Sequence, residues 1–247
     1  MPQTLRAALL QTRVRPSLES NLEAAAEMAA GAARSGAEIL LLPEYFFRLP
    51  YGEPCAKFAT ATEGPVRRFF ERVSAESGAL LAGNAVSRGR NLGLLYRDGD
   101  LLGTQPKVHP TLLERRWGIR PGRRLRRWRA GGATAGMLVC ADILHPRTAM
   151  GLAGADLVLN PVVSRRRPRD DTGEARRAMY VARAFDLGSF VLKAGSVAPG
   201  FWGRSLAAAP WGTVASAGDQ DREEALVVEL DLERLRKIRR ELERLRG

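Results

Sequence analysis

Short apolar runs and stretches with three- and four-residue apolar spacing alternate along most of this chain. "LRAALLQT" (5–12) predicts a first strand. "SNLEAAAEMAAGAARSG" (20–36) predicts a helix, with Ser20 as cap and Glu23 at capping-box spacing. The run "AEILLLPE" (37–44) has strand length, "EGPVRRFFERVSAESG" (63–78) has helical periodicity, and "ALLAGNAV" (79–86) returns to strand. "NLGLLYRDGDLLGTQPK" (91–107) predicts a hairpin turning at Asp98-Gly99.

The second half keeps this rhythm without sequence repetition. "AGMLVC" (135–140) and "DLVLNPVV" (156–163) predict strands, while "HPRTAMGLAGA" (145–155) and "TGEARRAMYVARAFDLG" (172–188) predict helices. "SFVLKAGS", "RSLAAAPWGTVAS" and "ALVVELDL" predict sheet edges and a final hairpin. The class is α/β with both types of strand pairing. Two segments stand outside the rhythm. Residues 164–174, "SRRRPRDDTGE", form a charged loop that either lies over a site or is simply solvated. Residues 232–247 form a C-terminal amphipathic tail through Leu235, Ile238, Leu242 and Leu245, which docks either on its own core or on a second subunit.

Composition narrows the class. The 247 residues, 45% hydrophobic and 27% charged, suit one large globular domain over 1–247. No run approaches the roughly 20 apolar residues of a membrane span, and "MPQTLRAALLQTRV" lacks a signal-peptide core, so a cytoplasmic location is expected. Cys55 and Cys140 are the only cysteines and have no metal-ligand spacing, which argues against zinc and against a disulfide scaffold. The formal net charge of +12 keeps a second class open, a non-catalytic basic protein that binds nucleic acid. The cations are spread along the chain, however, with no aromatic-basic interleaving. Almost all are arginine. Lys57, Lys107, Lys193 and Lys237 are the four lysines, so a lysine in a chemical context is informative.

Such a context exists at three strand ends. Cys140 closes "GMLVC" and opens a segment able to turn into a helix, whose N-terminus lowers a thiol's pKa and holds an oxyanion. Glu44 ends "ILLLPE", and Lys107 ends "GTQPK". Together they offer a nucleophile, a proton carrier and a fixed positive charge. Taken singly, each has a plainer reading: a small buried hydrophobe, a helix cap and a surface cation. His109, two residues from Lys107 and on its face if the stretch is extended, leaves open a rival Cys140–His109 dyad.

Glu, Lys and Cys in this order, with "LPE" before aromatics, "K" two residues before "H", "CxD" after an apolar strand, and a late "GRS…PWG" before "LVVELDLERL", resemble the nitrilase superfamily of carbon–nitrogen hydrolases. The resemblance covers nearly the whole chain. It implies a four-layer α-β-β-α sandwich, usually in a homodimer or higher homo-oligomer, with no metal or organic cofactor. It also implies Glu44 as general base, Lys107 and the Ala141 backbone N–H as oxyanion donors, Cys140 as nucleophile, and Glu114 as an auxiliary or substrate-positioning carboxylate. The expected activity is thiol-dependent cleavage of a non-peptide carbon–nitrogen bond in a small amide or N-carbamoyl compound. Nitrile hydrolysis and acyl transfer are alternatives on the same triad. The chain departs from the family pattern at "ADILHPR" after Cys140, at Asp186-Leu187 and at Gly195, which bears on substrate. The run Arg165 to Arg167 favours an anionic substrate if its loop reaches the pocket.

Overall fold

The computed structural model describes residues 3–50, 52–165, 172–197, 200–217 and 221–246. In chain order the first half contains β1 (Thr4–Gln11), α1 (Leu18–Arg34), β2 (Ile39–Leu41), α2 (Cys55–Ser77), β3 (Leu80–Ser87), β4 (Arg90–Arg97), β5 (Asp100–Pro106) and α3 (Leu112–Trp117). The second half contains β6 (Arg127–Ala130), β7 (Ala133–Met137), α4 (Pro146–Ala149), β8 (Leu157–Val162), α5 (Gly173–Leu187), β9 (Phe190–Gly195), β10 (Leu206–Ala209), β11 (Gly212–Ser216), β12 (Glu224–Asp231) and α6 (Leu232–Arg246).

Two six-stranded sheets form among the described residues, in the orders β12-β1-β2-β3-β4-β5 and β11-β10-β9-β8-β7-β6. The central strands are parallel, β1 with β2, β2 with β3, β7 with β8 and β8 with β9. Because such strands are covered on both faces, their sequences read as continuous apolar runs rather than alternating ones. The period-2 geometry still sorts each run. Leu9, Leu41, Leu80, Met137, Leu159 and Leu192 point between the sheets, while Leu10, Leu40 and Leu81 meet α1 and α2, and Leu138, Val158 and Val191 meet α5. Three apolar layers between four structural layers make the α-β-β-α sandwich that the resemblance implied. Each large side chain fully buried in them contributes about 1.5–3 kcal/mol.

The hairpin β4–β5 turns at Asp98 (φ 53°) and Gly99 (φ 84°), where both residues adopt the positive φ of a twist-matched two-residue turn. Some elements differ from expectation. Helix α1 is capped by Ser17, whose extended backbone lets its side chain accept from Ser20 N at 3.1 Å, so Ser20 lies in the first turn. Helix α2 begins at Cys55 and passes through Pro65, because Phe58, Ala59 and Thr62 continue the buried face of Val66, Phe69, Phe70 and Val73. Residues 145–155 do not make one helix: α4 is followed by a tight turn over Met150–Leu152, and Gly154 sits at φ 84°. Strand β6 and helix α3 were not foreseen. The C-terminal helix α6 packs on the chain's own core. Leu232 and Leu235 are fully buried between the sheets, and Arg236 and Arg239 reach Asp156 at 3.2 and 3.1 Å. Among the described residues no helix is long and apolar enough to cross a membrane.

Candidate active site

Glu44 follows β2, Lys107 follows β5 and Cys140 lies three residues beyond β7. Strands β2 and β5 run the same way in the first sheet, since two antiparallel steps separate β5 from β3. Their carboxyl ends share one edge, where sites form in such sheets. The second sheet brings Cys140 to the same place. The Lys107 ammonium lies 2.8 Å from Glu44 Oε1 and 2.8 Å from Glu114 Oε2, and all three residues are buried. The Cys140 thiol lies beside the Glu44 carboxyl, near enough for each to shift the other's titration. It also lies 3.6 Å from the Val163 carbonyl oxygen, while Val163 N donates to Glu44 Oε2 at 3.4 Å. Every side chain singled out by sequence as a triad member or as its auxiliary thus meets in one cluster.

Two asparagines fix the backbone around these groups. Tyr45, next to Glu44, and Cys140 itself hold left-handed conformations at φ 53° and 47°, which are unusual for residues with a side chain and cost on the order of 1–3 kcal/mol each. Asn84 accepts from Tyr45 N at 2.7 Å. Asn160 donates to the Leu138 carbonyl and, at 3.3 Å, to the Cys140 carbonyl, while Tyr180 Oη donates to Asn160 Oδ1 at 2.7 Å. Asp142 then joins the segments that carry Lys107 and Cys140, accepting from Val108 N (3.2 Å), His109 N (2.7 Å) and Val139 N (3.1 Å). A carboxylate beside Cys140 therefore holds the chain just after Lys107.

The carboxylates on either side of Lys107 are held differently. Glu114 closes the capping box of α3, its Oε2 accepting from Thr111 N at 2.8 Å, and its Oε1 accepts from Tyr45 Oη and Asn91 Nδ2, both at 3.0 Å. Burial works to raise Glu114, but the Lys107 charge and these donors hold it below its ordinary value. For Glu44 burial wins over the attraction of Lys107, and its carboxyl is lifted. Burial depresses Lys107, yet Glu44, Cys140 and Glu114 together push it above its ordinary value, so it stays charged. Burial and the neighbouring Glu44 also push the Cys140 thiol well up. This differs from the expectation of a thiol acidified by a helix N-terminus: the turn over Cys140–Leu144 is a short 3-10 segment, and burial first, then the carboxylate beside the sulfur, act the other way.

Cys140 and Ala141 line a cavity of about 940 Å³ whose wall also includes Arg165, Arg176, Tyr180, Lys193, Trp202 and Arg204. Glu44 and Lys107 do not line it and lie deeper. The Ala141 N–H precedes the first bond of the 3-10 turn, from Asp142 N to Val139 O at 3.1 Å. Of the arginine run, Arg165 reaches the cavity, and Arg166 and Arg167 lie outside the described residues. His109 does not pair with the thiol. Its Nε2 lies 2.7 Å from Thr148 Oγ1, and its ring stacks on His145 at 3.6 Å. Asp186 forms an ion pair with Arg183 on α5, and a side chain at Gly195 would collide with the Gly203 carbonyl. Among the described residues no group of three or more His, Cys, Asp or Glu is arranged to hold a metal.

Sequence reasoning missed Tyr45, Asn84, Asn91, Asn160 and Tyr180, and met Asp142 only as the aspartate of "CxD", without a role. A signal existed for three of them, because an asparagine inside an apolar strand run must find partners when buried: "AGNAV", "RNLG" and "VLNPV" each carry one.

A thiol, a carboxylate and an ammonium at the edge of a two-sheet α/β sandwich define a class of hydrolase, and known proteins identify it. The family model described as carbon-nitrogen hydrolase matches residues 6–240, and the chain belongs to that family. It is similar to omega-amidase NIT2-A of Xenopus laevis, with 30% identity over 95% of this chain and 91% of the relative. A hydrolase of Mycobacterium tuberculosis is 29% identical over 98% of this chain and 95% of its own. Among solved structures, an amidase from Nesterenkonia sp. superposes with a TM-score of 0.83 at 27% identity, covering 98% of this chain and 96% of the other. A mutant of the amidase from Nesterenkonia sp. AN1 carries acrylamide joined by Michael addition to its active-site cysteine (TM-score 0.83, 26% identity, 98% and 100% covered). The resemblance read from the motifs is therefore borne out, as are the fold and the carbon–nitrogen hydrolase activity expected from it.

Proposed function

We propose that Cys140 cleaves the carbon–nitrogen bond of a small non-peptide amide through a thioester. The single observation that carries this reading is the buried cluster in which Lys107 bridges Glu44 and Glu114 at 2.8 Å each, while the Cys140 thiol beside Glu44 lines the cavity. Cys140 Sγ attacks the amide carbon as its proton passes to Glu44. The carbonyl electrons move to oxygen, and the Lys107 ammonium and Ala141 N–H stabilise the oxyanion. The carbon–nitrogen bond breaks as Glu44 returns the proton to nitrogen, and ammonia or an amine leaves. Glu44 next takes a proton from water, whose oxygen attacks the thioester. The acid departs, and Cys140 recovers its proton from Glu44. A lifted Glu44 suits this two-way traffic, because a carboxyl nearer neutrality both gives and takes protons readily.

Glu114 is a positioning residue in this scheme. Held ionised, it fixes Lys107 on the side away from Glu44 and keeps the ammonium charged through the cycle. The scheme uses no cofactor. The proposal extends to N-carbamoyl compounds as an alternative substrate group and to a homo-oligomeric, cytoplasmic enzyme, as the family resemblance implies.

The test is ammonia release from a panel of primary amides, N-carbamoyl amines and nitriles, with Cys140→Ala measured beside the native protein. Release from amides that vanishes in the variant is expected. Release that survives in a folded Cys140→Ala protein would contradict the nucleophile assignment. Turnover confined to nitriles would overturn the amide preference.

A further inference from the structure

Lys193 is a buried amine in the cavity wall that the reaction does not use. It pairs with Leu206, the first residue of β10, where the β9–β10 ladder ends. Just before that point the chain turns tightly, with Gly203 and Arg204 in successive left-handed conformations at φ 48° and 50°. Glycine tolerates this readily, whereas an arginine persists there only when its surroundings hold it. The turn brings Trp202 and Arg204 into the wall of the cavity that Cys140 lines, with the Arg204 guanidinium 4.8 Å from the centre of the Trp202 ring.

The backbone groups of this turn are held in two ways. The N–H groups of Trp202, Gly203 and Ser205 donate to the Ser164 carbonyl (3.0 Å), the Ser196 carbonyl (3.1 Å) and Gln11 Oε1 (2.8 Å), which ties the turn to neighbouring segments. The carbonyl oxygens of Gly203 and Arg204 both accept from Lys193 Nζ, at 2.9 Å each. A buried carbonyl that loses its donor is costly, so the turn depends on this amine. It also has little slack: a side chain at residue 195 would collide with the Gly203 carbonyl, and Gly195 N donates to Ser205 Oγ at 3.0 Å. Resting on the amidase reading, we propose that Lys193 is a positioning residue: its amine ties down both carbonyls of the Gly203–Arg204 turn and so holds Trp202 and Arg204 as the wall against which the substrate lies beyond its amide group.

The charged and titratable groups around Lys193 are Arg176 and Tyr180 of α5, Arg204 before β10, and Cys140. Glu174 and Arg177 of α5, Arg165 after β8 and Asp221 before β12 line the same cavity. Burial first, then Arg176 and Arg204, lower the amine to about 7, against an opposing pull from Cys140. A neutral amine keeps two N–H donors, one for each carbonyl, so the brace survives loss of the third proton. Opening of the turn returns the amine to water and toward its ordinary 10.5, and so takes up a proton between these two values. The turn should therefore close more firmly as pH rises through this window, by at most about 10-fold per pH unit.

Hydrogen exchange at the backbone amides of residues 202–205 reads this opening without any substrate, once corrected for the intrinsic pH dependence of exchange. In the native protein opening should become rarer between about pH 7 and about pH 9. In Lys193→Met it should be more frequent throughout and lose that dependence. Native opening that ignores pH, or the same slope in both proteins, would overturn the brace. The native profile decides this even if the variant does not fold. Hexanamide and acetamide, a long and a short neutral amide, test the wall. In Lys193→Met, KM for hexanamide should rise about 3- to 10-fold, the scale of one hydrogen bond, while its kcat and both constants for acetamide hold. Equal losses for both amides, or a loss in kcat alone, would overturn the positioning role. If neither amide is hydrolysed, the amidase reading fails for this pair, and the exchange profile still decides whether Lys193 holds the turn.

Discussion

Lys107 and Lys193 are two buried lysines in a chain that otherwise uses arginine almost throughout, and their surroundings are opposite. Lys107 bridges two carboxylates and is held charged, while Lys193 has two carbonyl oxygens and an aromatic face and is lowered to about 7. Burial disfavours the ammonium at both sites, so the difference lies in the counter-ions. A permanent positive charge suits an oxyanion that forms in every turnover.

The largest effect is expected from breaking the Lys107 site at its base. Glu44→Gln keeps the shape and one acceptor but removes the proton carrier, and kcat should drop about 10²- to 10⁴-fold while the melting temperature moves little by comparison. A variant with near-native turnover would remove Glu44 from the scheme. Lys107→Met should lower kcat about 10²- to 10³-fold through loss of an oxyanion donor. It should also cost roughly 3–5 kcal/mol of stability, because Glu44 and Glu114 then face each other without the cation between them. Denaturant unfolding of this variant at native stability would contradict the bridging geometry.

Asn160 connects the two regions, since it holds the Cys140 carbonyl and stands in register with Lys193. Asn160→Ala leaves the buried Leu138 and Cys140 carbonyls without this donor, a loss of about 1–3 kcal/mol, and should slow alkylation of Cys140 as the left-handed turn relaxes. An unchanged alkylation rate would show that the turn is held by other means.

The smallest effect sharpens the contrast directly. The folded value of Lys193, about 7, is below the ordinary 10.5. Between these pH values the unfolded chain therefore binds more protons at this residue than the folded one. Its contribution to stability rises with pH across that window, by at most about 1.4 kcal/mol per pH unit. Comparing unfolding of the native protein with Lys193→Met should show this slope disappear. An identical slope in both would contradict the lowered amine.

The legibility of these features in the sequence follows the range of the forces involved. The paired sheets were readable because parallel strands covered on both faces need continuous apolar runs, and Asp98-Gly99 was readable because its turn demands positive φ. Glu44, Lys107 and Cys140 stood at the ends of such runs. The start of α2 was missed because a proline normally opens a helix, whereas tertiary burial of Phe58 and Thr62 carries this one through Pro65. The direction of the Cys140 shift was misjudged for a similar reason: a local helix-end argument cannot weigh the burial of the thiol in the packed fold, nor a carboxylate brought from the other sheet. Asp142 stood in "CxD", and Asn84 and Asn160 stood as polar residues inside apolar runs, but the backbone groups they hold at Val108, His109, Tyr45 and Cys140 are chosen by the fold. Lys193 was visible as a rare lysine, but that its amine meets the carbonyl oxygens of Gly203 and Arg204 is a property of the fold.

The central claim is an acyl group carried on Cys140. It is tested most directly by quenching the native protein during steady-state turnover of a primary amide and locating the mass increment by peptide mapping. The account predicts the mass of the amide less ammonia on the peptide containing Cys140, with none on Cys55 and none in Cys140→Ala. Turnover with the increment on another residue, or persisting in Cys140→Ala, would contradict it.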